Sequence, residues 1–362
     1  ILVARIPNTV YSIGADAFKA LDKLEKVIYQ PKEEGATREL CLYNSNELAK
    51  QLGTCDIAQL VPLDVNVLRH TFNESQFSSA DLQSLHELTE LVDCYNYSAI
   101  NDRIFLKYTA LETIDKSFND TSVLSRETIE IQSSIKAITN SFRHTVIRVS
   151  DEVSEEPLCF DFSNATSLER MDTCFIGSGM TVVDLSHCTS MREMHDAFKD
   201  MPNLEKVILP ASLQFMTSCF VNCPKLSEVI YPEGVLRVGY GCYSACPNLK
   251  EIHLPSTCKM INSSAKIKFI SHGITVIPTK MCTMHGPHVQ FADVLTGIGT
   301  SGCDNSSIDN FDFQDTISTL GAYAFQKFGG HTFDMYNWAV TEISSNCFND
   351  SGLRELILPK GT

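Results

Sequence analysis

Four stretches near the middle of the chain carry one pattern: DTCFIGSGMTVVDL at 172–185, DAFKDMPNLEKVILP at 196–210, SCFVNCPKLSEVIYP at 218–232 and GCYSACPNLKEIHLP at 241–255. Their ring residues, Phe175, Phe198, Phe220 and Tyr243, are separated by 23, 22 and 23 residues. Aromatics make up only 9% of the sequence, so this spacing is not an accident of composition. A recurrence of that period marks a stacked repeat array, in which each unit leans on its neighbours.

Within a unit the apolar positions are fixed relative to the ring. Leu204, Leu226 and Leu249 come six residues later, and Val207, Val229 and Ile252 nine later. Leu209, Tyr231 and Leu254 come eleven later, each followed by a proline (Pro210, Pro232, Pro255). The last two anchors are two apart, which is strand spacing with both side chains on one face. Proline ends the strand because it has no N–H to give a ladder. Ile, Val, Leu or Met four or five residues before the ring predicts a second short extended piece, then a one-turn helix carrying the ring. Four buried anchors cannot offset the backbone entropy of a whole unit, so its stability must come from stacking.

The pattern extends in both directions. Ile13–Phe18 with Leu24, Val27 and Tyr29 repeats it near the start, and Ile343–Phe348 with Leu353, Leu356, Leu358 and Pro359 near the end. Weaker copies fall at Phe118, Phe142 and Phe325, and degenerate ones at Phe72 and Phe105. Where the aromatic is lost, Ala265, Cys282 and Cys303 fill its slot. Residues 31–66 and 266–297 depart from the pattern and read as elaborations within the array. In the first, Asn44–Leu52 reads as a short helix with Glu47 three residues after Asn44. The leucines at 82, 85, 88 and 91 suit a helix or a turn followed by a strand, and 285–297 reads as a loop. About 15 repeats of roughly 23 residues fit the chain as one solenoid domain over 1–362. The array begins and stops inside repeats, so the expectation is a fragment or processed form of something longer.

A net charge of −15 argues against nucleic acid as the main partner. No apolar run approaches the ~20 residues of a membrane span, so the chain is not expected to cross one. Among fourteen cysteines, Cys174, Cys219, Cys242 and Cys347 stand immediately before the ring, where other repeats have alanine. Cys223 and Cys246 stand three residues after it. These are packing slots for small buried thiols, with a disulfide between neighbouring rungs as the alternative.

The repeat phase also absorbs motifs that elsewhere signal chemistry. Gly297-Ile-Gly299-Thr-Ser-Gly302 is a literal GxGxxG, but a dinucleotide site needs it between a strand and a helix. Here it coincides with the Ile-Gly-x-x-Ala-Phe element of the repeat. Cys219-x3-Cys223 and Cys242-x3-Cys246 mimic two halves of a zinc site, yet the phase spreads them over packing layers rather than around a tetrahedron. Cys282, His285 and His288 are the only weak metal candidates, and no cofactor or metal is expected. Trp338 reads as core or edge packing. Seven Asn-x-Ser/Thr sequons occur, at Asn73, Asn96, Asn119, Asn164, Asn262, Asn305 and Asn349. No nucleophile elbow or P-loop is present, and the chain is not expected to be an enzyme.

The unit resembles the BspA-like leucine-rich repeats, a family of bacterial surface proteins also found in some parasitic protists. Their unit runs roughly Ile-Gly-x-x-Ala-Phe-x-x-Cys-x-x-Leu-x-x-Ile-x-Leu-Pro. Ile13–Phe18, Ala197–Pro210, Cys219–Pro232, Tyr243–Pro255 and Cys347–Pro359 match it, and Leu185–Met191 resembles a variant frequent in gut Bacteroides. The resemblance implies a right-handed superhelix of short β-strands joined by short helical or 3-10 turns. It further implies export to the cell surface, and adhesion or binding of host or neighbouring-cell proteins or glycans, without catalysis. An intracellular scaffold that organises other proteins is the alternative. Solenoids bind through extended faces. The expected binding strip is therefore the outward strand residues Ile28, Ile208, Ile230, His253 and Ile357, beside the charged column Lys26, Lys206, Glu228, Glu251 and Glu355.

Overall fold

The structure, a computed structural model, describes residues 2–360 apart from 15–16, 19–20, 22, 44, 55, 75, 78–79, 101–103, 107–108, 124–127, 150–153, 262–266, 280, 282–288 and 307–314. Among the described residues the chain is a β-solenoid of about 13 turns with almost no helix, close to the repeat count read from the sequence. It divides into two compact units, 1–203 and 204–362.

In the first unit, short parallel strands at Ser12–Ile13, Glu39–Leu42, Val67–Arg69, Glu90–Val92, Thr113–Asp115, Ala137–Thr139, Arg170–Asp172 and Glu193–His195 follow one another in a single sheet. Each three-residue strand turns its central residue inward and its flanking residues to the opposite face, where Val67 alone among these flanks is buried. The inward residues Leu68, Leu91, Ile114, Ile138, Met171 and Met194 are in register with one another and fully buried. These are the second extended pieces expected before the rings, and they form the longest continuous sheet of the unit.

After each of these strands the chain turns through the ring residue. Phe72, Tyr95, Phe118, Phe142, Phe175 and Phe198 are all fully buried. The rings Tyr95, Phe118 and Phe142 stack face to face at 4.9 and 5.0 Å, and Phe142, Phe175 and Phe198 continue the column at 5.5 and 5.2 Å. Tyr95, not Phe105, holds the ring slot between Phe72 and Phe118. Phe105 belongs to a short strand, Ile104–Phe105, that pairs with Ala80–Asp81. The wider gap between Phe142 and Phe175 contains an antiparallel strand pair, Val146–Val149 with Ser154–Pro157.

The segments carrying these rings are turns, not one-turn helices. Phe118 has φ +60°, flanked two residues away by Lys116 at +48° and Asp120 at +50°, and the same alternation surrounds the other rings of the unit. Left-handed backbone costs a bulky residue about 1–2 kcal/mol, and it persists because hydrogen bonds to both neighbouring rungs hold it. The Lys116 and Asp120 N–H groups donate forward to Thr139 O and Arg143 O, at 2.9 and 2.8 Å. The Phe118 N–H donates backward to Cys94 O at 2.9 Å.

The side chains beside the ring complete this ladder. The Asn96 N–H donates to Asn73 Oδ1 at 2.8 Å, the Asn119 N–H to Asn96 Oδ1 at 2.9 Å, and the Arg143 N–H to Asn119 Oδ1 at 3.1 Å. Two residues later, the buried hydroxyls of Ser98, Thr121 and Thr145 donate to the ring-residue carbonyl of the preceding rung. An asparagine followed at the second position by Ser or Thr is thus the signature of this turn. It accounts for the sequons at Asn96 and Asn119 without any glycan.

The irregular 31–66 stretch holds helices at Ser45–Leu52 and Ile57–Leu60. It is fastened by the Tyr29 hydroxyl, which donates to Leu60 O at 2.7 Å. The buried Arg38 also anchors it: Nη1 pairs with Asp64 Oδ1 at 2.7 Å and Nη2 donates to Gln30 O. The leucines at 82, 85 and 88 line a pair of turns leading into strand Glu90–Val92, so the turn-plus-strand reading holds.

In the second unit the proline-terminated strands Lys206–Ile208 and Glu228–Ile230 pair in parallel. Glu251–Leu254, Lys268–Ser271 and Val289–Phe291 form a separate three-stranded sheet, and Thr332–Asp334 pairs with Glu355–Ile357. Val289–Phe291 corrects the expectation of a loop over 285–297. Val289 and Phe291 are buried on either side of a half-exposed Gln290, an alternation that places them in register with Phe269 and Ser271. Ala265 and Cys282 lie outside the described residues, whereas Cys303 is fully buried in the ring slot. Trp338 is buried edge-on against Phe333, with ring centroids 5.6 Å apart.

Candidate functional site

The outward residues are what this fold offers to a partner. On the proline-terminated strands of the second unit, Ile208 lies directly opposite Ile230, and Lys206 opposite Glu228. The Lys206 ammonium meets the Glu228 carboxylate at 3.0 Å, so the two charges cancel locally. On the next sheet Glu251 faces Lys268, and His253 is in register with Ile270 and through it with Gln290. His253 approaches Glu251 at 3.4 Å through Nε2 and meets His272 Nε2 at 2.9 Å through Nδ1. Glu355 and Ile357 lie opposite Thr332 and Asp334 on a different strand pair. Ile28 and Lys26 belong to the first unit, where they face Arg5 and Val3. The structure therefore brings Lys206, Ile208, Glu228 and Ile230 together on one strand pair, with Glu251 and His253 on the strand that packs next to Glu228–Ile230. Ile28 and Ile357 stand elsewhere.

A longer outward face exists that the proline-centred reading missed. On the continuous sheet of the first unit, Glu90, Thr113, Ala137, Arg170 and Glu193 form one column in register, which the buried Val67 continues. Arg69, Val92, Asp115, Thr139, Asp172 and His195 form the next. Its charges are largely answered within the face. Arg69 pairs with Glu39 at 2.7 Å and Arg170 with Asp172 at 3.0 Å, while the His70 Nδ1 lies 2.5 Å from an Asp93 oxygen and the Thr139 hydroxyl donates to Asp115 at 2.6 Å. Tyr43 stacks on His70 with centroids 5.5 Å apart. The signal for this face was in the sequence: polar-apolar-polar triplets such as Thr113-Ile-Asp115 and Glu193-Met-His195 precede the rings. A third exposed feature is the Arg237 guanidinium, 5.9 Å above the half-exposed ring of Phe215.

Reactive chemistry is muted at the other motifs. Burial pushes the thiols of Cys94 and Cys188 up to about 12 and those of Cys258 and Cys347 up to about 11, as packing slots require. Gly297 and Ile298 form a strand between Val276–Ile277 and Thr319–Leu320, and turns follow them, not a helix. Gly299 sits where it does because a Cβ would lie 2.8 Å from Ile277 O on the preceding rung. Cys282, His285 and His288 lie outside the described residues. Among the described residues no group of three or more His, Cys, Asp or Glu side chains converges as a metal site. No described helix is long and apolar enough to cross a membrane.

Short parallel strands, buried leucine-type anchors and a stacked ring per turn define a leucine-rich-repeat solenoid protein. The model of the BspA type leucine rich repeat region matches residues 169–281 and 270–362, in six copies. Together these segments span 169–362, more than half of the 362 residues, and the chain belongs to that family. Among solved structures, it is similar to the pneumococcal vaccine antigen PcpA, with 15% identity, 88% of this chain and 74% of that one covered, and a TM-score of 0.36. A leucine-rich repeat protein from Bacteroides ovatus gives 16% identity, 98% and 92% coverage and a TM-score of 0.39. A leucine rich cell surface protein from Faecalibacterium prausnitzii gives 15%, 80% and 79%, and 0.29. No curated protein matches the chain.

Proposed function

We propose that this chain is a non-enzymatic repeat protein, displayed at the cell surface or secreted, that binds host or neighbouring-cell proteins or glycans through the outward faces of its strands. The observation that carries this reading is the in-register pairing of outward residues. Ile208 beside Ile230, flanked by Lys206 beside Glu228, makes a periodic apolar-and-charged strip on a rigid ladder. Such a strip presents contact area at little entropic cost, because the strands are already ordered. Membership of the BspA-type family supports the surface location.

The test follows from the register. Because positions 208 and 230 are adjacent, two aspartates there would repel one another and weaken the ladder. Ile208→Lys with Ile230→Glu instead extends the existing Lys206–Glu228 pairing. The purified wild-type chain is expected to bind a subset of immobilised matrix proteins or glycans, and the double variant to lose that binding with its melting temperature nearly intact. Wild-type binding to none of them would overturn the adhesion reading and favour a scaffold. Unchanged binding by the variant would remove this strip.

A further inference from the structure

Two thiols differ from the rest in both position and setting. Cys223 and Cys246 occupy the same place in consecutive rungs, three residues after Phe220 and Tyr243. Stacked rungs bring equivalent Cα atoms to about 4.8 Å, inside the range of roughly 4.4–6.8 Å that a disulfide bridges. Backbone hydrogen bonds fix this register beside the pair. The Asn222 N–H donates to Ser244 O at 2.8 Å, and the Tyr243 N–H donates to Cys219 O at 3.3 Å. The Cys246 thiol reaches across the rung boundary and donates to Phe220 O at 3.1 Å. The Cys223 thiol lies against Val221 O at 3.7 Å.

Access and acidity point the same way. Cys246 keeps 7% of its surface exposed, whereas Cys223 is fully buried. A hydrogen bond from the Cys223 thiol holds the Cys246 thiol below its ordinary value, against the opposing effect of burial. Burial pushes Cys94, Cys174, Cys188, Cys258 and Cys347 the other way. The parallel pair Cys219 and Cys242 differs in access. Like Cys223 and Cys246, they donate to carbonyls two residues back, Thr217 O at 3.2 Å and Tyr240 O at 3.8 Å, but Cys242 is only 1% exposed where Cys246 is 7%.

We propose that Cys246 and Cys223 form a dithiol oxidation site that reacts with low-molecular-weight disulfides and closes into a disulfide between adjacent rungs. The Cys246 thiolate attacks one sulfur of the small disulfide, forming a mixed disulfide and releasing one small thiolate, which takes up a proton. The Cys223 thiol then loses its proton and attacks the Cys246 sulfur, releasing the second small thiol. Two protein thiols are oxidised and one external disulfide is reduced to two thiols. Attack by the thiol whose acidity is enhanced and which is the less deeply buried of the two, with resolution by its neighbour, is the order that thiolate chemistry favours. The product staples two turns of the solenoid together and raises its resistance to unfolding.

The test uses the whole chain, natively folded, with oxidised glutathione as the probe, followed by alkylation and peptide mapping. The expected result is a Cys223–Cys246 linked peptide pair lighter by two hydrogens, and a higher melting temperature that reductant reverses. Cys223→Ser should stop at a glutathione adduct on Cys246, and Cys246→Ser should leave Cys223 free to be alkylated after denaturation. The wild-type map requires no variant to fold. Cys223 and Cys246 both remaining alkylatable while the half-exposed Cys41 and Cys159 carry adducts would overturn the proposal. So would a bond at Cys219–Cys242 in its place, or a Cys223–Cys246 link that forms only in denaturant.

Discussion

The rungs come in two kinds, and they solve the same turn differently. From Leu68 to Phe72, Ile114 to Phe118 or Met194 to Phe198, four residues lead from the strand's buried centre to the ring. From Ile13 to Phe18, Val238 to Tyr243, Ile298 to Cys303 or Leu320 to Phe325 it takes five. In the four-residue form the ring residue is left-handed and its N–H donates backward, as Phe118 does to Cys94 O. In the five-residue rungs of 297–350 the ring slot donates forward, Cys303 to Ala324 O at 2.9 Å and Phe325 to Cys347 O at 2.8 Å. The left-handed residues there are the flanking ones, Tyr323 and Lys327. In these last rungs the ring slot's N–H thus points to the following rung, whereas Tyr243, also five residues from its strand centre, keeps the left-handed form and donates backward to Cys219 O at 3.3 Å.

The largest expected effect breaks the ring column of the four-residue rungs. Phe118 is fully buried between Tyr95 and Phe142. Phe118→Ala should cost about 3–5 kcal/mol, read as a loss of denaturation midpoint. Phe348, half-buried and stacked on Phe325 at 5.5 Å, should cost roughly half as much on truncation. Equal losses would mean that continuity of the column contributes nothing.

Four of the five-residue rungs place a glycine directly after the strand, at Gly14, Gly239, Gly299 and Gly321, whereas the last has Ser344 there. At Gly239 a Cβ would stand 1.5 Å from Met216 O, a backbone atom that the rung ladder holds in place. Gly239→Ala should therefore cost about 3 kcal/mol or more in thermal or denaturant unfolding. Gly14 occupies the same place in its rung with nothing within 4 Å, and Gly14→Ala should stay within about 0.5 kcal/mol. A mild Gly239→Ala would show that the rungs can part locally, and that the glycine is not set by their approach.

How much of this was legible in the sequence follows from what each feature depends on. The proline-ended strands were readable because Leu-x-x-Val-x-Leu-Pro is local and the proline marks its end. Tyr95 was not, because its neighbours Asn96, Tyr97 and Ser98 replace the apolar residues and cysteines of the stronger copies, and Phe105 offered a more familiar residue. Val289–Phe291 was hidden for another reason. Three residues are too few for a period-two signal, and that strand is defined by its partner Lys268–Ser271. The left-handed turns were hidden because glycine does not mark them: their mark is an asparagine with Ser or Thr two residues on, whose role appears only once the rungs are stacked. The paired face Ile208–Ile230 was legible because equivalent positions stack, whereas the longer polar face was passed over because its triplets contain single apolar residues.

The smallest expected difference separates two identical-looking sequons. Asn96 belongs to a four-residue rung and is almost fully buried. Its Nδ2 donates to Asp93 Oδ1 at 2.6 Å and Lys116 O at 2.7 Å, and its Oδ1 accepts the Asn119 N–H. Asn349, in a five-residue rung, is exposed and its Nδ2 reaches only the adjacent Asp350, at 3.1 Å. Asn96→Ala strands a backbone N–H and a carbonyl between rungs, and leaving such groups unsatisfied should cost about 2 kcal/mol. Asn349→Ala should change stability by less than about 0.5 kcal/mol. Amide hydrogen exchange sharpens the comparison beyond a melting temperature. In Asn96→Ala the Asn119 N–H loses its acceptor and should exchange faster, while the Phe118 N–H, bonded to Cys94 O, should keep its protection. Faster exchange at both would mean that the asparagine column holds the whole turn, and that the left-handed backbone of the four-residue rung survives only because its side chains tie it to the rungs on either side.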